Sequence, residues 1–378
     1  MQNFGLVSIA LIAAIGAASN TDAAEELGRG IVKPVELPAF SFSSPPCTAP
    51  IDRDNSLVFF QDNDRQFMQG VRYGLEEAAK RRGLGFSVVL ANDDPQKMNS
   101  AVDAAVSRKV GALIAAPIDA ARLSPSLIGA IKSGTYVGTV VPPPAVTILN
   151  APQYQTGEVL AKAAAGYIAD NLDGNANVVL LTHDSLEFLS PRFTAMRDVL
   201  GKLPGVTIVA DISPSPVNVE GGYEMMKLIL LAHPKIDVVL GADTVVIGAL
   251  KALRESGAAS PRQFLGGIDG EPDAIAELSD PNSPYKATVS LASPVFGYAL
   301  GHFAADWLEG KRVPQAMDIL PRAIDASNLT SYREEVSDPA AIFNDPKKRD
   351  RYLKFYGNIC FDTRSRFLNF PWSSDRAD

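Results

Sequence analysis

Cysteine and histidine are both scarce in this 378-residue chain: only Cys47, Cys360, His183, His233 and His302 occur. With no CxxC pair, no HExxH helix and no closely spaced His/Cys set, the sequence holds no framework for a metal or thiol-redox centre. Glycine-rich phosphate loops are missing as well. No GxGxxG follows the first strand and no Walker-type loop occurs, which argues against nucleotide chemistry. GxSxG is also absent, and Ser185, His183 and Asp184 are chain neighbours, a spacing at odds with triad geometry. Positive charge is in the minority, with 35 Lys and Arg against 43 Asp and Glu and a net charge of −8. No long basic block lies in the body, so nucleic acid is not expected as the main partner. Long apolar runs are lacking except for Phe4–Ala18, about 15 residues where a membrane span needs ~20. Residues 1–24 therefore read as a secretory signal, although Met1-Gln2-Asn3 carries no Lys or Arg. An uncleaved anchor or a buried helix is the alternative.

What is present is ordinary globular material, 46% hydrophobic and 21% charged, long enough for two domains. From Ser56 to about Ile324 the chain alternates strand-like and helix-like segments. Leu57–Phe60, Phe86–Leu90, Ala112–Ala115 and Tyr136–Val141 read as strands, with helices over Gln66–Gly83, Pro95–Ser107 and Pro125–Ser133. The second half repeats the scheme: strands at Val178–Leu181, Val206–Val209, Val238–Leu240 and Phe264–Ile268 are separated by helices at Pro191–Lys202, Gly221–Ala232 and Val245–Ser256. A helix over Gly157–Asn171 precedes them. Apolar strands alternating with helices predict parallel sheets covered on both faces, hence two doubly wound α/β lobes. The bridge is Val140–Gln153, whose Pro142-Pro143-Pro144 suits neither helix nor sheet interior.

Residues 25–55 form a Pro-rich lead-in, and 331–378 form a tail with nine of the chain's 29 aromatics. Seven Lys and Arg lie between Lys347 and Arg366. Such density predicts an ordered tail, either packed over a lobe or presented to a partner protein. If the chain is exported, Cys47 and Cys360 can pair and tie the two extensions together; two separate thiols remain the other reading.

In parallel sheets, ligands gather at the carboxyl ends of the strands. The polar segments there are Gln61–Phe67, Pro152-Gln153-Tyr154, His183–Ser185 leading to Arg192, Ala242-Asp243-Thr244, and Gly267–Gly270. Polar groups around one or two aromatic rings suit a small polar ligand. His183 reads as a residue of the pocket lip, and His233 as the end of a helix, where its charge would meet the helix dipole.

These pieces carry a resemblance. Phe67-Met68 followed by Gly74-Leu75-Glu76-Glu77-Ala78-Ala79 is similar to the Asn-Pro-Phe-Phe…Gly…Glu-Ala stretch of the type I periplasmic solute-binding protein family, the ribose-binding-like receptors of sugar ABC transporters. Ala91–Pro95 resembles that family's turn before the second helix, and Arg192–Met196 its Arg-x-x-Gly-Phe. Ala232–Leu253 is the most similar stretch, and Gly267-Ile268-Asp269-Gly270-Glu271-Pro272 resembles Gly-Phe-Asp-Gly-x-Pro. The match runs in order from about residue 56 to 325.

The resemblance implies two lobes joined by a three-strand hinge with the ligand cleft between them. The first lobe would hold 56–149 plus 292–317 and the second 150–291 plus 318–330. It implies ligand-binding roles for Phe67, Arg192, Asp243 and Asp269, with no metal and no cofactor; Arg65, Gln153, Tyr154 and His183 join them as candidates from the polar segments at the strand ends and the lobe crossing. Phe67 would stack on the ligand, Arg192 would donate two hydrogen bonds, and Asp269 would accept. First-turn core packing for Phe67, a helix cap for Asp243, a turn role for Asp269 and solvent exposure for Arg192 are the simpler alternatives.

Departures from the family pattern are specific. Its Asp-Arg pair after the fourth strand falls on Val141-Pro142, the Asn before Asp243 is Ala242, the hinge Gln is Leu291, and an Asn near the first helix is Arg65. Buried hydroxyls without partners cost about 1–3 kcal/mol each, so a ligand less hydroxylated than a pentose or hexose is expected, carrying an acid or carbonyl for Arg65 and Arg192. The resemblance implies an exported periplasmic receptor whose partner is an ABC permease. A receptor histidine kinase is the sensing alternative, favoured by the tail. An enzyme would need a base or nucleophile in the cleft, and a repressor an N-terminal DNA-binding helix pair; the sequence offers neither.

Overall fold

A computed structural model of the chain describes residues 36–140, 144–186, 188–370 and 372. The leader expected over 1–24, the start of the lead-in and Val141-Pro142-Pro143 of the bridge lie outside the described residues.

The apolar runs become short strands, most of them buried on both faces, as parallel sheets sandwiched by helices require. The first sheet begins with β1 (Ser56–Gln61), β2 (Gly85–Leu90), β3 (Ala112–Ala115), β4 (Tyr136–Val140) and β5 (Thr147–Asn150). Between them run α1 (Gln66–Arg82), α2 (Pro95–Ser107) and α3 (Ala120–Ser133). The chain then crosses to a second sheet through α4 (Gln153–Asn171), β6 (Ala176–Leu181), α5 (Ser190–Leu200), β7 (Val206–Ile212) and α6 (Val219–Ala232). That sheet continues with β8 (Val238–Leu240), α7 (Asp243–Glu255), β9 (Phe264–Asp269), α8 (Pro272–Glu277) and β10 (Tyr285–Ser290). A second crossing leads back through α9 (Ser293–Leu308) to β11 (Ala316–Ile319), and a third leads out to β12 (Arg322–Ile324). The tail forms α10 (Leu329–Ser337), α11 (Pro339–Asn344), α12 (Pro346–Arg349) and β13 (Leu353–Tyr356).

The strand orders are β13-β11-β5-β4-β3-β1-β2 and β12-β10-β9-β8-β6-β7. All neighbours are parallel except β11/β13 and β10/β12. The sequence had predicted parallel sheets throughout. The antiparallel strands sit at sheet edges, where a returning chain can cover ladder groups that would otherwise stay open to pairing.

Local chemistry sets several helix starts. Asp94 accepts from the backbone N–H groups of Gln96 and Lys97 and starts α2; Asp119 accepts from Arg122 and starts α3. Helix α3 thus begins five residues before Pro125, the expected start, and Pro125 lies inside it. Helices α1 and α9 meet at backbone distance: a Cβ on Gly74 would lie 2.1 Å from the Pro294 carbonyl oxygen. This contact sets α9, which follows the second crossing, directly against α1, which opens onto the cleft.

The aromatics of the tail are packing groups. Phe343 and Phe355 meet Phe303 of α9 at centroid distances of 5.7 and 5.3 Å. Phe40 and Phe42 of the lead-in join them, and the Arg349 guanidinium lies 4.4 Å from the Phe42 ring centre. Cys47 and Cys360 form a disulfide that ties lead-in to tail. Helix α10 touches both lobes: Arg333 donates to Ile275 O and Ser279 Oγ on the second, while Tyr73 of α1 donates to Ser337 O.

Candidate ligand-binding cleft

The first lobe presents the loop after β1 and the start of α1. Arg65 is exposed and pairs with Asp62 at 3.2 Å. Burial raises the Asp62 carboxyl, and Arg65 pulls the other way. The Phe67 ring rests on Phe296 at 5.8 Å between centroids, and the Arg65 guanidinium is also 5.8 Å from the Phe67 centre. Phe67 is half-buried, so core packing holds the ring while part of it remains accessible.

Arg192 enters from the first turn of α5. It is only 6% exposed, which removes the solvent-facing alternative. Its Nε donates to Gln153 Oε1 at 2.8 Å, so the first residue of α4 orients the guanidinium. Burial pushes the Arg192 pKa down and Asp269 opposes this; a guanidinium keeps its charge at neutral pH regardless. Helices α4 and α5 are close enough here that a Cβ on Gly157 would lie 1.8 Å from Arg192 O. Gly157→Ala must therefore displace the backbone that carries Arg192. It is expected to destabilise the protein by about 1–3 kcal/mol, readable as a lowered midpoint in denaturant.

The end of β9 supplies the carboxylates. Asp269 has φ of +120°, a conformation side chains rarely adopt, and Gly270 follows at +71°. Such strain persists only where the surroundings enforce it. Asp269 is half-buried; burial raises its carboxyl against the pull of Arg192 and then Arg65. His183 is half-buried too, and burial, Arg65 and Arg192 all push its pKa down, so it is neutral near pH 7. Arg65 belongs to the first lobe and the other two to the second. Arg65, Phe67, His183, Arg192 and Asp269 thus gather at one cleft, with Gln153 behind Arg192.

Two expected ligand contacts lie elsewhere. Asp243 is fully buried: it accepts from Tyr285 Oη at 2.6 Å, Thr288 Oγ1 at 2.8 Å and the Glu271 backbone N–H at 2.8 Å. Burial, chiefly, pushes its carboxyl up to about 7. The cap of α7 is Ala242, so Asp243 is not the expected helix cap either. It positions the Asp269–Glu271 loop from beneath. Tyr154 donates to Asp198 at 2.8 Å, two turns into α5, so its ring follows the α4–α5 seam instead of the cleft.

Glu271 was not among the expected residues. It is 6% exposed at the cleft edge, and its carboxyl is pushed up to about 8 by burial, Asp269 and Asp243. Its only sequence signal was its place as the variable residue of Gly-x-Asp-Gly-x-Pro. A cavity of about 420 Å3 lies among Phe67, Gln66, Asp269, Glu271, Ser293 and Tyr332, a volume suited to a small molecule. Leu291 is buried in the core at the second crossing and brings no polar group to the site.

A family model described as "Periplasmic binding protein domain" matches residues 57–312. The ribose import binding protein of Bacillus subtilis is 28% identical over 302 residues, 74% of this chain and 92% of the relative. A xylitol-binding protein of Mycolicibacterium smegmatis is 29% identical over 219 residues, 55% of this chain and 60% of the relative. Among solved structures, an ABC transporter periplasmic solute-binding protein from Actinobacillus succinogenes with bound D-allose superposes with a TM-score of 0.66. It is 21% identical and covers 74% of this chain and 100% of its own. A family match over more than half of the chain, together with two parallel-sheet lobes in the arrangement of these neighbours, means that the chain belongs to the periplasmic binding protein domain family.

Proposed function

We propose that the chain is an exported receptor that captures a small, sugar-like solute between its lobes and binds it without turnover. The observation that carries this reading is the convergence of Arg65 and Phe67 from one lobe with His183, Arg192 and Asp269 from the other. Closing the lobes brings hydrogen-bonding groups and an aromatic face onto one ligand, and binding shifts the population toward the closed form. Relatives named for ribose, xylitol and D-apiose, and solved neighbours with bound D-allose and myo-inositol, support a polyhydroxylated ligand class.

Within that class we favour a ligand with fewer hydroxyls than a hexose, because Ala242 and Leu291 contribute no hydrogen bond. Its carbonyl or acid group would face Arg65 and Arg192. We assign delivery to an ABC permease and the periplasm as the location, in keeping with the relatives' names. A permease and ATPase encoded beside the protein would support delivery; a histidine kinase there would replace it with sensing. A thermal-shift screen tests the ligand class, since a ligand stabilises the native state by mass action. The panel is D-ribose, xylitol, erythritol, glycerate, D-allose, D-glucose and myo-inositol. At least one member should raise the melting temperature, with those of three to five carbons ahead of the hexoses. A hexose giving the largest shift would overturn the finer reading, and no shift with any member would overturn the ligand class.

A further inference from the structure

The cavity of about 420 Å3 shares Phe67 and Asp269 with the converging set, yet Arg65, His183 and Arg192 do not line it. It runs between α1, the start of α9 and α8, and its remaining wall is Tyr332, Arg333 and Val336 of α10. That wall lies beyond residue 312, where the family match ends. Helix α10 is fixed there from both sides. Asp338, just past its end, pairs with Arg81 of α1 at 3.5 Å, and Arg333 donates to Ser279 Oγ of the second lobe at 2.6 Å. The helix also sits directly on the loop that carries Asp269: a Cβ on Gly270 would lie 2.9 Å from Tyr332 Oη. The tail thus closes a chamber that opens from the cleft at Phe67 and Asp269.

The chemistry of the walls decides what fits. Phe67, Pro272, Ile275, Pro294 and Val336 are apolar, and Tyr332 is aromatic. Polar groups of the same walls already have partners. Tyr332 Oη and Ser290 Oγ share a hydrogen bond of 2.6 Å, and Arg333 also donates to Ile275 O. Gln69 Nε2 donates to Asp64 O, and Gln66 Oε1 accepts from the Asp273 backbone N–H. Ser293 Oγ lies against Gly70, 2.2 Å from where a Cβ would stand. Burial, Asp269 and Asp243 push the Glu271 carboxyl up to about 8, so it adds little charge near pH 7. A hydroxyl entering such a chamber gives up water for groups that are already engaged, whereas an apolar group has no hydrogen bond to lose. We propose that the chamber under α10 receives an apolar substituent of the solute, an alkyl or O-alkyl group on a polyol or sugar skeleton whose hydroxyls stay with Arg192 and Asp269. Ala242 and Leu291, which offer the solute no hydrogen bond, agree with a ligand of this mixed character.

The inference rests on the proposed capture of a sugar-like solute, and its test separates the two. Calorimetry on the full chain compares D-ribose, xylitol and D-allose, each beside its O-methyl and O-butyl ethers at either end of the carbon chain. Each methylene buried in the chamber should raise the affinity about threefold, so for at least one skeleton a butyl ether should bind roughly tenfold or more tighter than the methyl ether. Val336→Trp, which fills the chamber, should bring that ratio down to about one. Val336→Thr, nearly equal in volume but polar, should lower the ratio by a smaller factor and serves if the larger side chain prevents folding, which circular dichroism reads. Parents that bind while no butyl ether gains over its methyl ether would overturn the chamber's role and leave the solute class standing. Butyl ethers that bind where no parent does would support the chamber and overturn that class. No binding by any of these compounds would overturn both. An unchanged ratio in folded Val336→Trp would overturn the placement under α10.

Discussion

Arg192→Ala is expected to weaken solute binding by roughly 100-fold or more while leaving both lobes folded. A guanidinium held in place by Gln153 Oε1 is set for two charge-assisted hydrogen bonds to one ligand, each contributing about 1.5–3 kcal/mol. Losing both corresponds to about 3–6 kcal/mol, and Asp269 would lose the cation that counters its burial. Arg192→Lys restores charge without the planar fork and should recover only part of the affinity. Gln153→Ala frees the guanidinium without removing it and should cost less than Arg192→Ala. Calorimetry with the panel member that most stabilises the wild type measures all three. Arg192→Ala with wild-type affinity would remove Arg192 from the site.

The second large effect concerns stability. Cys47 and Cys360 are 313 residues apart, so their bond closes a loop containing nearly the whole folded body. A cross-link of that span restricts the unfolded chain strongly. Cys47→Ser together with Cys360→Ser should cost about 2–5 kcal/mol. Folded-state contacts point the same way: β13 pairs with β11, and Phe343 and Phe355 pack on Phe303. Without the bond, both extensions must hold through these contacts alone. Denaturant unfolding of wild type and double variant, and of wild type with reductant, reads the loss. Superimposable curves would show that the disulfide adds no stability.

The frame was legible because it rests on local rules. Unbroken apolar strands such as Leu57–Phe60 have no polar face to turn outward, so they belong in the middle of a covered sheet. Asp94 before Pro95 marked the start of α2 by capping chemistry that needs no distant partner. Arg192 and Asp269 stood out as candidates because the polar segments after apolar strands are where parallel sheets gather ligands. Pro125 misled because α3 is capped by Asp119 and so starts at Ala120, five residues before the proline.

The rest depended on long-range contacts. Asp243 has the sequence position of a pocket residue, yet Tyr285 and Thr288, more than 40 residues away, turn its carboxyl inward. Tyr154 is adjacent to Gln153, which holds Arg192, but successive helical residues point in different directions, and its hydroxyl donates to Asp198. Glu271 could not be recognised from its neighbours because its loop is held by Asp243, 28 residues earlier, which accepts its backbone N–H. The antiparallel course of β13 likewise follows from where the tail returns to β11, which strand propensity does not encode.

The central claim is that Arg65, Phe67, His183, Arg192 and Asp269 close on one small polar solute. Isothermal titration of the protein against the same panel, with Arg192→Ala beside it, tests this most directly. The account predicts saturable binding of one solute per chain by the wild type, with affinity falling roughly 100-fold or more in the variant. Wild-type binding that Arg192→Ala leaves unchanged, or no binding of any panel member, would contradict it.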